Sequence, residues 1–531
     1  MASIPSFLSK LASSYGDKPA LVTDTEAVSF ADFAEHVERV AAGLIASGIR
    51  AGDRVAIWLP NVPEWLEIAC ACGRIGAIAI SCNTRFRSTE VGDIISRSRA
   101  KALVLWPGFK QIPFLDILAE VPCDLLGRLE TLIIVNGDAE SARKVSPPGR
   151  ATITYESLSS SVPVSIPMPD ADAGFVTFIT SGTTSLPKFA LHSQAAIIQH
   201  AEDIADAFGY RQPGVIVMTM NPLCGVLGFN QAFAALAAGV PQVLPVFFEA
   251  QAVATDMRLR AITHAAAIDE ALERLLDAIP DQIAFPALHS VGSGSYNSDF
   301  ETFVRKAELR GMRAFGIYGM SEVMALYARQ PVELEAALRA RAGGIPVSPR
   351  ARVRARHVET GELLPHGEPG ELELSGPSLM LRYDGDEAAT EKAITTDGFI
   401  RTGDIGCTTP EGGFTFLSRM GDALRLSGFL VSPAEIAHVL ESHPSVDRCQ
   451  IIGHKVGATM RPVAFVIPRR GAAFAEADVI SFCKQRLAPF KAPVRILPVD
   501  AFPTSLGPNG EKIQRGKLRD MAAAALPNAP A

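Results

Sequence analysis

The chain has 531 residues, more than one hydrophobic core usually serves, so a single small binding module is excluded and roughly two to four packed units are expected. Apolar residues make up 48% and charged residues 20%, which excludes a disordered or fibrous chain. The net charge of −7 argues against a general binder of nucleic acid or anionic membranes, so any polyanionic ligand must meet locally gathered positive groups.

The N-terminal Met-Ala-Ser-Ile-Pro-Ser-Phe-Leu-Ser-Lys-Leu is too short in apolar residues for a signal peptide, and no run of about 18 uncharged apolar residues follows, so a cytoplasmic protein without a membrane span is expected. Between Ser29 as a cap and Gly48, the residues Phe30, Phe33, Val37, Val40 and Leu44 recur every three or four positions and predict an amphipathic helix over 29–48. Apolar runs at 55–59, 77–81 and 102–106 alternate with a helical stretch at 64–74, as in a doubly wound parallel α/β sheet. The β-rich run 174–180 opens a second α/β stretch, breaks into a polar loop and precedes a helix predicted over 192–208. From about 345, short β-like runs separated by Gly367-Glu-Pro-Gly370 and Pro410-Glu-Gly-Gly413 predict a mainly β segment ending near Arg419. Residues 422–531 then carry 14 basic and 9 acidic residues, a net +5, against −12 for the chain before them. Such a unit is either a lid closing over a polyanion or simply a solvated surface.

The eight cysteines are scattered without zinc spacing, so reduced thiols and no metal framework are expected. The histidines form no H-E-x-x-H, and Gly319-Met-Ser321 does not complete G-x-S-x-G, which argues against a hydrolase. His192, His264 and His289 are either cleft residues or, more commonly for an isolated histidine, hydrogen-bonded structural groups. The strongest local signal is Thr180-Ser-Gly-Thr-Thr-Ser-Leu-Pro-Lys188, directly after a predicted strand. Its hydroxyls, the flexible Gly182 and the cationic Lys188 suit a polyphosphate, although the spacing is not that of a P-loop and a Ser/Thr-rich turn remains the alternative.

That loop resembles the T-S-G-T-T-G-x-P-K-G signature of the acyl-adenylate-forming superfamily. The resemblance continues in order through Gly52-Asp-Arg-Val-Ala-Ile57, Pro60-Asn61, Asn83-Thr-Arg85, Tyr318-Gly-Met-Ser-Glu322, Gly370-Glu-Leu-Glu-Leu-Ser-Gly376, Arg401-Thr-Gly-Asp404, Arg419, Gly428 and Gly510-Glu-Lys-Ile-Gln514. It implies an α/β protein with a large N-terminal body of α/β subdomains plus a small β segment over 1–420, and a smaller mobile α+β lid over 421–531.

The implied reaction joins a carboxylate to ATP, giving acyl-AMP and pyrophosphate, and then transfers the acyl group to a thiol such as that of CoA. Lys512 would bridge acyl oxygen and phosphate, Ser321 would donate to the α-phosphate, and Glu322 would hold Mg²⁺. The nucleotide would be bound by Thr180, Ser181, Gly182, Thr183, Thr184, Lys188, Gly294, Ser295, Tyr318, Gly319, Asp404, Arg419 and Gly428, with Asp404 on the ribose and Tyr318 facing adenine. Gly225, Gly228, Phe229, Asn230, Val323 and Met324 would line the acid pocket.

Departures from the pattern are Ser185 and Phe189 for glycines, Gly421 at the hinge, Arg425 for a frequent lysine, and Cys224-Gly225 in place of an aromatic and a histidine. Gly225 offers no carboxylate for an amino acid's ammonium group, which disfavours an amino-acid-activating module. The resemblance therefore implies an acyl-CoA synthetase for a medium-chain, alicyclic or aromatic acid, with ATP, Mg²⁺ and CoA. Nothing in the sequence decides for or against a homodimer. The alternatives are a non-catalytic nucleotide- or acyl-binding homologue and an adenylating enzyme with another acceptor.

Overall fold

Ser29 has extended backbone and its hydroxyl accepts from the amide of Asp32 at 3.0 Å, which starts the helix Phe30–Ala46 and buries Phe30, Phe33, Val37, Val40 and Leu44 on one face. The computed structural model describes residues 3–526 apart from 139, 141, 143–148, 181–186, 295–299, 421–423, 428, 432, 458 and 508–509. The chain is a mixed α/β protein of two units. The larger comprises Met1–Thr84, Ile94–Ile179 and Phe189–Met420, and the smaller Arg85–Asp93, Thr180–Lys188 and Gly421–Ala531.

The larger unit holds an eight-stranded sheet in the order Arg382–Tyr383, Lys188–Ser193, Gly174–Thr180, Ile78–Ser81, Arg54–Trp58, Ala102–Leu105, Thr131–Ile134 and Ala151–Thr154. The strand Gly174–Thr180 and those after it in this order pair parallel, and Val55, Ile57 and Ala102 are fully buried. The predicted helix at 192–208 begins later, at Gln194. His192 and Ser193 end a strand instead, because the Ser193 hydroxyl accepts from Ala196 N at 3.1 Å and sets the helix start.

A second sheet has 13 strands. Its parallel part includes His264–Ile268, Ser290–Gly294 and Ala314–Tyr318. The β segment expected after 345 is present and joins this sheet. Its strands Phe414–Arg419, Ile400–Thr408, Gly370–Ser375 and Arg352–Arg356 continue this sheet antiparallel through Gly343–Pro346 and Ala328–Arg329. Joining the ladder pairs N–H and C=O groups that a free edge would expose. Glu373, fully buried on the strand Gly370–Ser375, lies directly across from Arg354 on one side and Arg401 on the other. Its carboxylate accepts from Arg354 Nε at 2.5 Å and Arg356 Nε at 2.9 Å, and these guanidiniums hold it below the usual glutamate range against the opposing effect of burial.

The aromatic side of the core is built around Phe229, which stacks on Phe233 with ring centroids 4.4 Å apart and meets Trp65, Phe175 and Phe178.

In the smaller unit, the strands Val446–Val456 and Thr459–Pro468 pair antiparallel and Arg495–Pro498 joins parallel, covered by the helices Pro433–Glu441 and Glu476–Arg486. Ile436, Leu440, Val466, Val479, Cys483 and Ile496 form its core. The Glu435 carboxylate and that of Glu90 each lie 2.6 Å from Lys491 Nζ, and Glu90 also accepts from the amides of Arg87 and Ala488 at 3.0 Å.

The cysteines are free thiols, and burial pushes Cys70, Cys72 and Cys82 well above the ordinary range. Among the described residues no helix is long and apolar enough to cross a membrane.

Candidate active site

The strand Ala314–Tyr318 ends in Gly319 and Met320, and the chain then makes a single 3₁₀ turn, Ser321–Val323. Gly319 is required by a close approach: a Cβ there would stand 1.7 Å from the carbonyl oxygen of Ala325. Beyond the turn, Met324 and Ala325 have φ of 60° and 53°, the left-handed region that non-glycine residues seldom enter. The tight return presents Ser321 and Glu322 immediately beyond the end of a buried strand.

Glu322 is buried, and its Oε1 accepts from the Tyr383 hydroxyl at 2.7 Å while its backbone oxygen accepts from Met380 N at 2.8 Å. Tyr383 comes from the edge strand Arg382–Tyr383 and was not singled out by the motifs; the only signal for it is one aromatic residue in a polar stretch. Tyr318, also buried, donates its hydroxyl to Asp404 Oδ2 at 2.6 Å and meets Phe414 edge-on with centroids 4.9 Å apart. Asp404 sits in the strand Ile400–Thr408, where Thr402 Oγ1 accepts from its amide at 3.0 Å and donates to Leu372 O at 2.6 Å. Asp404 and Arg419 are register partners across adjacent strands. A tyrosine hydroxyl and strand pairing thus fix a carboxylate at one end of the sheet, while a second carboxylate is oriented on the turn that follows Tyr318.

His192 Nε2 lies 2.8 Å from Ser321 O, and His200 Nε2 and Asn230 Nδ2 each lie 3.1 Å from Met324 O. Burial lowers His192 to about 3 and His200 to about 4, so both imidazoles are neutral at physiological pH and donate N–H to those carbonyls. His264 is likewise structural, with Nδ1 2.9 Å from Thr263 Oγ1 and burial lowering it to about 4; His289 meets it edge-on with centroids 5.6 Å apart.

The residues expected to line the acid pocket fall in different settings. Val323 and Met324 are fully buried next to Glu322 on the turn, and Asn230 joins them through its bond to Met324 O. Phe229 lies in the aromatic core. Gly228 faces the loop before its helix, where a Cβ would meet Pro222 O at 2.5 Å and Asn221 O at 2.6 Å. Cys224 and Gly225 are half-buried at the start of the helix Val226–Ala238. Asn61, from the Pro60-Asn61 motif, holds this loop: its Oδ1 accepts from Leu223 N at 2.8 Å and its Nδ2 donates to Asn221 O at 2.9 Å.

Thr180 ends the strand Gly174–Thr180, Lys188 begins Lys188–Ser193, and Gly294 ends Ser290–Gly294. Ser181, Gly182, Thr183, Thr184, Ser185, Ser295, Gly421 and Gly428 lie outside the described residues. In the smaller unit, Lys512 stands opposite Ser505 in the hairpin of Thr504–Gly507 with Gly510–Ile513.

The AMP-binding enzyme family model matches residues 8–384, and the model of the family's C-terminal domain matches 435–505. The chain belongs to the AMP-binding enzyme family. Triostin synthetase I of Streptomyces triostinicus is 28% identical over 96% of this chain and 92% of its own length. Indoleacetate–CoA ligase of Aromatoleum aromaticum is 29% identical over 93% of both chains. Among solved structures, o-succinylbenzoate CoA synthetase of Bacillus subtilis shares the fold with a TM-score of 0.81 at 22% identity, over 97% of this chain and 98% of that one. This enzyme is accordingly of the AMP-forming acid–thiol ligase class.

Proposed function

We propose that the enzyme activates a largely apolar carboxylic acid, of medium-chain, alicyclic or aromatic type, with ATP to an acyl-AMP and then forms its CoA thioester. The observation that supports this most directly is the pair of oriented carboxylates, Tyr318-backed Asp404 and Tyr383-backed Glu322, around the end of one strand. A carboxylate accepts from both hydroxyls of a ribose, and Asp404 takes that role beside the ring of Tyr318.

Glu322 takes the metal. Among the described residues no group of three or more His, Cys, Asp or Glu could hold an ion by itself. A single buried carboxylate with one oxygen tied by a phenol fits Mg²⁺ that arrives with nucleotide phosphates, because that ion keeps water and phosphate ligands and needs only one or two from protein. When bound, the metal offsets phosphate charge. Ser321 donates its hydroxyl to the α-phosphate, and Lys512 supplies an ammonium where the acid's carboxylate approaches that phosphate. Thr180 to Thr184 and Lys188 cradle the remaining phosphates, with Gly294, Ser295 and Gly319 at the base, Arg419 at the ribose or phosphate, and Gly428 on the approach of the thiol. The acid lies against Gly225 and Cys224, the half-buried members of the stretch, with the buried Gly228, Phe229, Asn230, Val323 and Met324 shaping the wall behind.

The test is a panel of carboxylic acids with ATP and Mg²⁺, following pyrophosphate release with and without CoA. Pyrophosphate with an apolar acid, and a thioester when CoA is added, is the expected result. Pyrophosphate without a thioester assigns another acceptor, and no pyrophosphate with any acid makes the chain a binding homologue. Lys512→Ala should suppress acyl-AMP formation far more than thioester formation from supplied acyl-AMP, and equal loss of both steps would contradict its role.

A further inference from the structure

The turn 321–325 is closed by its own backbone, with Ser321 O accepting from Met324 N at 3.3 Å and Met320 O from Ala325 N at 2.9 Å, but side chains from elsewhere hold it too. Two consecutive non-glycine residues in the left-handed region are strained, so the surrounding structure must over-determine them. Its outward carbonyls are taken by three side chains from three elements: His192 on the strand Lys188–Ser193, His200 on the helix Gln194–Ala207, and Asn230 on the helix Val226–Ala238. All three are 0% exposed.

Their remaining polar atoms show what the burial serves. Nδ1 of His192, Nδ1 of His200 and Oδ1 of Asn230 have no hydrogen-bond partner among the described residues. Each group thus carries an uncompensated desolvation cost, and each imidazole gives its single N–H to the turn. A packed core would be served as well by apolar side chains of the same volume, which carry no such cost. The arrangement makes sense only if the exact placing of Ser321 O and Met324 O matters.

We propose that His192, His200 and Asn230 are positioning residues that lock the turn 321–325 in its left-handed form and so fix the direction in which Glu322 offers its carboxylate to the metal on the nucleotide. The proposal rests on the metal role assigned to Glu322 above. Tyr383 and Met380 hold Glu322 itself; the histidines and the asparagine hold the backbone that carries it.

The test is calorimetric ATP binding to the full chain, with Mg²⁺ and with chelator, which needs no turnover. His200→Phe and Asn230→Leu remove the donors at similar volume, and His200→Gln keeps an N–H. Each donor-less variant is expected to lose about 5–10-fold in affinity for MgATP, the scale of one hydrogen bond, while Mg²⁺-free ATP binds within about twofold of the parent. His200→Gln should recover most of the loss, and in a Glu322→Gln background Asn230→Leu should have no further effect on MgATP. Equal weakening with and without Mg²⁺, or losses that add to that of Glu322→Gln, would overturn the proposal and leave these groups a purely structural role. If His200→Phe fails to fold, Asn230→Leu and His200→Gln decide the question by the same readouts. A parent enzyme that gains nothing from Mg²⁺ refutes the role of Glu322 first, and the proposal with it.

Discussion

Lys491 offers the sharpest energetic test of the smaller unit. Its ammonium is 7% exposed and lies 2.6 Å from both Glu90 and Glu435, themselves 7% and 10% exposed, so two carboxylates share one cation out of water. The carboxylates raise Lys491 above its ordinary value despite burial, and burial raises Glu90 despite the lysine. At an effective dielectric of about 20, each contact is worth roughly 6 kcal/mol of gross attraction, most of it offset by desolvation of the ions. Lys491→Met removes the attraction and leaves the desolvation, so a net loss of about 3–5 kcal/mol is expected. The loss should be full at pH 8 and shrink as pH falls, because Glu90, whose folded pKa burial raises, regains native stability once it is protonated. Lys491→Met with Glu435→Gln should cost less than Lys491→Met alone. The assay is amide hydrogen exchange of the strand Thr459–Pro468 and the helix Glu476–Arg486, where 3–5 kcal/mol corresponds to about two to nearly four orders of magnitude in protection. The three tryptophans stand at 58, 65 and 106, all in the larger unit, so their fluorescence during denaturation serves as an internal control. A loss under about 1 kcal/mol at pH 8, or the same loss at pH 5 and pH 8, would refute the reasoning.

Burial raises Glu64 to about 7, with Glu67 adding repulsion, so the native state is at its best below the unfolded value of 4.5 and loses stability as pH rises through 7. Glu64→Gln should therefore stabilise the protein at pH 8 by up to about 3 kcal/mol and change little at pH 4.5, measured by urea denaturation; stabilisation that is independent of pH would be the contrary result. Tyr318→Phe removes the donor to Asp404 but keeps the ring, so KM for ATP should rise about 5–10-fold with the fold's melting temperature nearly unchanged, and an unaltered KM would separate this contact from nucleotide binding. Gly228→Ala drives a methyl group into two backbone carbonyls and should cost about 1–3 kcal/mol in thermal denaturation, whereas a neutral outcome would mean that the loop 221–225 yields freely.

Local chemistry was legible in the sequence and distant pairing was not. The helix Phe30–Ala46 could be read with nearly its true limits because cap, periodicity and the glycine beyond it all lie within 20 residues. The parallel strands before residue 106 are equally plain in their apolar runs, and Glu322 and Asp404 stand in contiguous motifs. What held those groups was hidden: Tyr383 is 61 residues from Glu322, His200 is 124 from Met324, and Lys491 is 401 from Glu90. No local pattern distinguishes such a residue from an ordinary surface tyrosine, core histidine or solvated lysine. The helix starts at 194 and not at 192 because His192 and Ser193 are polar residues compatible with either assignment, and only the capping bond decides between them.

The buried Glu373 has a consequence for assembly of the 13-stranded sheet. It faces Arg354 and Arg401 across its two neighbours, so a single charge ties three strands together. A slip by one residue on either side would turn the arginine to the face where Leu372 and Leu374 are buried and leave the carboxylate without that partner, at a cost larger than that of most mismatched apolar pairs. The glutamate thus disfavours one-residue shifts of the ladder on both of its sides.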